Sequence, residues 1–206
     1  TMTPGDSPVV PIILASASVV RGDILRNAGL TFGIVPADVD EGAVKNEMKG
    51  EGSSASETAQ VLADLKAQKV SREQTEAMVI GADQMLVCEG SWFDKPSNLQ
   101  AARHQLMKLR GKRHQLLSSV SVAQHGDIIF RYGANSILTM RSFSDRFLDS
   151  YLKAEADNVC RSVGGYRLEG SGIQLFASVT GSYFDILGLP LLPLLAFLRT
   201  KETLGD

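Results

Sequence analysis

Two long apolar segments, Gln115 to Val122 and Asp127 to Arg141, flank the turn-forming pair His125-Gly126, and this spacing predicts a β-hairpin. Strands of that length must be antiparallel neighbours, which favours a mixed sheet over a purely parallel one. Elsewhere strands alternate with helices. The run Val9 to Leu14 reads as a buried strand that breaks into small hydroxyl residues, and Ser18 then caps a helix whose buried face begins with Ile24 and Leu25. Gly29 supplies its stop, and Thr31 to Val35 forms a second short strand. An acidic turn with Asp38, Asp40 and Glu41 leads into a polar linker from Lys45 to Ser53.

Ser54 and Glu57 have the spacing of a capping box, and Ala59, Leu62, Ala63 and Leu65 give the next helix its apolar stripe. Met78 to Ala82 is a compact strand ending in Asp83, with Met85 to Cys88 continuing apolar to the turn Glu89-Gly90. Ser97, spaced three residues from Gln100, predicts a helix that runs to Gly111, and Ser144 caps another through about Ala154. The last third is punctuated by Gly164-Gly165, Gly170, Gly172, Gly181 and Gly188, and a final helix follows Pro190. The pattern is that of an α/β protein.

A chain of 206 residues with 44% hydrophobic residues can bury a substantial core. The formal charge of -2 and the lack of a Lys/Arg block argue against a nucleic-acid surface but leave room for a small anionic ligand. Cys88 and Cys160 lie far apart without metal spacing, which fits a reduced, cytoplasmic setting. No secretory leader or membrane span is expected, since the apolar tail Ile186 to Leu198 is short and interrupted by Pro190 and Pro193.

Helix N-termini present unpaired N–H groups and a partial positive charge, so Ser16, Ser18 and Arg21 form a candidate phosphate cradle. An ordinary capped turn is the other reading of the same residues. The carboxylates Glu41 and Asp83, with Arg21, Lys66 and Lys95, suit phosphoryl chemistry if the fold unites them: carboxylates hold Mg²⁺ or activate water, and cations neutralise phosphate. Each of them alone could equally be a solvated or turn-capping side chain. His104, His114 and His125 form no metal motif and read as polar surface or turn residues. The glycines at 170 and 172 lack the surroundings of a P-loop or a dinucleotide fingerprint, and no GxSxG elbow is present.

Taken in order, ILASAS with Arg21, DVDE at Asp38 to Glu41, LADLKAQKV around Lys66, VIGADQ at Val79 to Gln84, DKP at Asp94 to Pro96, LRGKRH, YRLEGSGIQLF and ILGLPL resemble the Maf family of nucleoside triphosphate pyrophosphatases. The match runs from about Ile12 to Leu195. The resemblance implies one domain over residues 8 to 200, an elongated two-lobed α/β fold with a mixed sheet and central cleft, a homodimer, and a divalent metal cofactor, Mg²⁺ or Mn²⁺. It implies cleavage of a nucleoside triphosphate into monophosphate and pyrophosphate, with Asp83 as proton acceptor and metal ligand beside Glu41. Ser16, Arg21, Glu41, Lys66 and Lys95 match positions associated with phosphate, metal or catalysis, and Ser18 joins the phosphate-binding set from the local reading.

Many members read SPRR where this chain has Ser18-Val19-Val20-Arg21. In the branch similar to 7-methyl-GTP pyrophosphatases, Trp stands at the position of Val20, Gln follows the catalytic Asp, and a Glu lies near the C-terminal glycines. Gln84 and Glu169 match that branch and Val20 does not. A glutamate accepts paired hydrogen bonds from the guanine edge, whereas valine cannot stack on a cationic methylated ring as tryptophan does. A guanine-leaning or broad specificity is expected. The alternatives are a dTTP/UTP-preferring enzyme and a non-catalytic, nucleotide-binding regulator of cell division.

Overall fold

The computed structural model describes residues 10–201, 203 and 204. The first half contains β1 (Ile12–Leu14), α1 (Val19–Asn27), β2 (Gly33–Ile34), α2 (Glu41–Gly50), α3 (Ala55–Glu73), β3 (Met78–Cys88), β4 (Ser91–Phe93) and α4 (Leu99–Leu109). The hairpin β5 (Arg113–Gln124) and β6 (Asp127–Met140) follows, then α5 (Asp145–Glu155), three short 3₁₀ segments, β7 (Phe176–Thr180), α6 (Tyr183–Leu187) and α7 (Leu191–Thr200). The strands form one mixed sheet in the order β2-β1-β3-β5-β6-β7, with β4 added to β3. Among the described residues only the β2-β1-β3 pairings are parallel.

His125 and Gly126 both take positive φ, 54° and 84°, closing the two-residue turn that the sequence predicts. The core divides along the sheet. α1 and α7 bring Ile24, Leu25, Leu191, Leu194 and Leu198 against Ile80 and Ala82 of β3, while Leu106, Leu109 and Leu148 pack against Leu86, Leu116 and Leu138. Leu187 touches both clusters.

Several expectations change. Lys45 to Ser53 is not a linker: residues 41 to 50 form α2, capped by Asp40, whose Oδ1 accepts from the Ala43 N–H at 3.0 Å. None of its ten residues is buried, so no apolar stripe marks it. The cap of α4 is Asn98 rather than Ser97, its Oδ1 accepting from the Ala101 N–H at 2.8 Å. β7 and α6 are additions, one too exposed and the other too short to show a periodic signal.

Asp83 does not end a strand. It lies at the middle of the eleven-residue β3, because β5 supplies partners throughout, pairing Asp83 with Ser119 and Gln84 with Ser118. The other edge of β3 is discontinuous. Pairing with β1 stops at Leu14↔Ile80 and pairing with β4 starts at Leu86↔Phe93. Asp83 sits in the gap between them.

Gly81 sets the approach of α3 to this strand. A Cβ there would stand 2.2 Å from the Ala63 carbonyl oxygen and 2.7 Å from the Ala67 nitrogen, so only glycine admits the helix this closely. Ala59, Ala63 and Ala67 line the contact at helical spacing, each fully buried. The same closeness delivers Lys66 to Asp83.

His114 also departs from expectation, because strand alternation turns it inward with Leu116 and leaves it 1% exposed. Its Nε2 is 2.8 Å from the Tyr166 hydroxyl. Burial pushes the imidazole down to about 4. An unfolded chain takes up this proton near pH 6.5 and the folded one does not, so stability falls as pH drops from 6.5 to about 4. The loss from this group is about 3 kcal/mol. Urea unfolding across pH 4 to 7 should show that loss in the wild type and a flatter profile in His114→Gln, which keeps a partner for Tyr166; parallel profiles would disprove the assignment.

Candidate active site

The β1-to-α1 junction forms the cradle from the inside outward. Ser18 caps α1, its Oγ accepting from the Arg21 N–H at 3.3 Å, and its own N–H donates to Ser16 Oγ at 3.2 Å. Arg21 folds back over this turn, donating from Nη1 to Ser16 Oγ at 3.3 Å and from Nε to the Gly188 carbonyl at 2.8 Å. Burial pulls its pKa down, partly offset by the fields of Asp83 and Glu41. A guanidinium keeps its charge in such a setting.

Beside the cradle runs a chain of alternating charge. Lys66 Nζ lies 2.7 Å from Asp83 Oδ1 and 2.7 Å from Glu41 Oε1, joining the middle of β3 to the first turn of α2. Lys45, one turn along α2, stands 4.0 Å from Glu41 Oε2 and 2.8 Å from Asp94 Oδ1. The side chains open outward, from 6% exposed at Asp83 to 72% at Asp94. Burial would raise the Glu41 pKa, but Lys66, Lys45 and Lys95 together hold it below the usual carboxylate range. Lys95 is held below the usual lysine range by burial and by the nearby positive charges of Arg21 and Lys66.

Ser16, Ser18, Arg21, Glu41, Lys66, Asp83 and Lys95 therefore converge, as their types suggest. Lys45 is the member that the sequence reading misses. Its signal is the four-residue spacing to Glu41, visible only once residues 41 to 50 are recognised as a helix.

Asp83 Oδ2 is buried and has no hydrogen-bond partner among the described residues. A buried acceptor left open is costly unless something fills it. With Glu41 nearby, two hard carboxylate groups face the same space, and no cluster of three or more His, Cys, Asp or Glu side chains suited to a metal occurs among the described residues. Two carboxylates fit a magnesium-type ion, which completes its shell with substrate phosphates and water.

The three residues tied to specificity part company. Val20 is half-buried and packs on the core beneath α1, while Val19 faces solvent. Gln84 points away from Asp83, to the other face of the strand. Its Nε2 donates to Ser118 Oγ at 2.9 Å and to the Asp185 and Ile186 carbonyls at 3.2 and 2.9 Å, so it ties the sheet to α6. Gly188, with φ of +100°, passes between Gln84 and Arg21. Glu169 instead belongs to a second network, taking Arg167 Nε at 3.2 Å, while Arg167 Nη1 and Ser171 Oγ reach the buried Glu155 at 3.2 and 2.6 Å.

The family model described as "Maf-like protein" matches residues 11–201. A nucleoside triphosphate pyrophosphatase of Granulibacter bethesdensis is 50% identical over 193 residues, covering 94% of this chain and 98% of that protein. A 7-methyl-GTP pyrophosphatase of Brucella abortus biovar 1 is 44% identical over 193 residues, covering 94% and 97%. A solved nucleoside-triphosphatase / dITP/XTP pyrophosphatase from Mycobacterium abscessus aligns with a TM-score of 0.44 and 11% identity, over 93% of this chain and 95% of its own, a likeness too loose to build on. With the ordered motifs and a family match over nearly its whole length, this chain belongs to the Maf family.

Proposed function

We propose that the protein hydrolyses a nucleoside triphosphate between its α and β phosphates, releasing a nucleoside monophosphate and pyrophosphate. The observation that carries this reading is Asp83, a buried carboxylate with one oxygen fixed by Lys66 and the other without a hydrogen-bond partner among the described residues, set in a strand gap beside Arg21 and Lys66. Water attacks the α phosphorus, forming a P–O bond as the bond to the bridging oxygen breaks. Its proton passes to Asp83 Oδ2, and the electron pair of the broken bond leaves with pyrophosphate. Arg21, Lys66 and Lys95 counter the charge that develops. A divalent ion held at Asp83 and Glu41 adds Lewis-acid stabilisation when bound.

Glu169 is the residue from which we infer a guanine-type base: its Oε1 takes Arg167, which leaves Oε2 as the acceptor for the base edge, and relatives named for both general and 7-methyl-GTP hydrolysis accompany that reading. Val20, occupied with core packing, offers no stacking surface for a cationic ring, so preference for the methylated base is weak here. Gln84, its amide engaged by α6, acts on substrate choice through the turn that holds Arg21. The test is pyrophosphate release from a nucleotide panel with Mg²⁺. GTP and 7-methyl-GTP should exceed dTTP and UTP. The reverse order would refute the role of Glu169, and no release from any nucleotide would refute hydrolysis.

A further inference from the structure

Lys45 has a place in the charge chain that no part of the hydrolytic step uses. Its stem is largely covered, 17% exposed, along the face of α2 that also lays Lys49 over the Trp92 ring at 5.5 Å. Its ammonium lies between a site carboxylate, Glu41, and one that is mostly in solvent, Asp94. An exposed carboxylate holds a lysine only weakly. The inner site sets three cations, Arg21, Lys66 and Lys95, against two carboxylates, Glu41 and Asp83, for a net single positive charge. A triphosphate stays negative with a divalent ion bound, and cleavage builds more charge on the leaving end.

Resting on the pyrophosphatase reading, we propose that Lys45 is a further phosphate-binding residue, parked on Asp94 and transferred to the pyrophosphate end of the substrate. The order of the chain fixes which end. Asp83 meets the α phosphorus at the buried terminus, and Lys45 stands three links outward, beyond Lys66 and Glu41. Lysine suits a transfer of this kind, being a point charge on a flexible stem.

A plain ion pair holding α2 to the segment after β4 makes a different prediction, because either half of such a pair is lost with the same effect. Calorimetric titration of the full chain with inorganic pyrophosphate and with GMP, in Mg²⁺, separates the two and needs no turnover. Lys45→Met should weaken pyrophosphate binding about tenfold or more and leave GMP within about twofold. Asp94→Asn frees the ammonium and should tighten pyrophosphate binding severalfold. Opposite signs in the two variants are the expected result. Shifts in the same direction, no shift, or a loss confined to GMP would overturn the proposal. Pyrophosphate binding with these opposite signs in a protein that cleaves no nucleotide would instead defeat hydrolysis and leave Lys45 in place.

Discussion

Asp83→Asn is expected to lower kcat by about 10²- to 10⁴-fold, the range over which a positioned proton acceptor contributes, with a much smaller change in KM. The substitution is nearly isosteric. Asn keeps an oxygen for Lys66, which lies 2.7 Å from Oδ1, so the joint between β3 and α3 survives in outline. What disappears is the open acceptor at Oδ2, replaced by an amide that has no lone pair for a proton from water. Initial rates of pyrophosphate release, with unfolding curves to show that the variant is folded, decide the matter, and retention of more than half the wild-type kcat would remove Asp83 from the proton transfer.

Lys66→Met should be the most destabilising single change in the site, costing about 3 to 5 kcal/mol, because it strands a charge that cannot reach water. Lys66 serves two carboxylates, but they are unequal. The Glu41 side chain is 44% exposed and recovers solvation, whereas that of Asp83 is 6% exposed and does not. The loss therefore belongs mainly to Asp83, and removing that charge as well should relieve much of it. In a double-mutant cycle, Lys66→Met with Asp83→Asn should cost less than the sum of the singles by about 2 kcal/mol. Additive singles in urea unfolding, with unchanged m-values, would show that the pair does not interact.

Much of the inner site is legible in the chain because its residues sit on strongly patterned elements. Ser18 announces a helix start, Ala59, Leu62 and Ala63 mark the buried stripe of α3, although Leu65, read as part of that stripe, is exposed, and Asp83 interrupts an apolar run. Its position is misread because a polar residue ordinarily ends a strand. Here the buried serines of β5 carry the pairing through. The outer site escapes for the opposite reason. α2 owes its existence to a cap at Asp40, the Glu41–Lys45 spacing and the Lys49–Trp92 contact, and these are weak or long-range signals. His114 misleads because a polar side chain on a strand says nothing of which face it takes until register is known. The tie from Gln84 to α6 joins residues about a hundred positions apart, beyond the reach of local pattern.

α2 carries Glu41 and Lys45 yet buries none of its residues. Segments with little buried apolar surface open at far lower free energy than the strands and helices of a core. Asp83 and Lys66 are thus bolted to the scaffold, while their outer partners ride on a helix that folds on credit from its charges. A bound polyphosphate that pairs with Lys45 adds to that support, so ordering of α2 becomes a component of affinity and a reporter of occupancy.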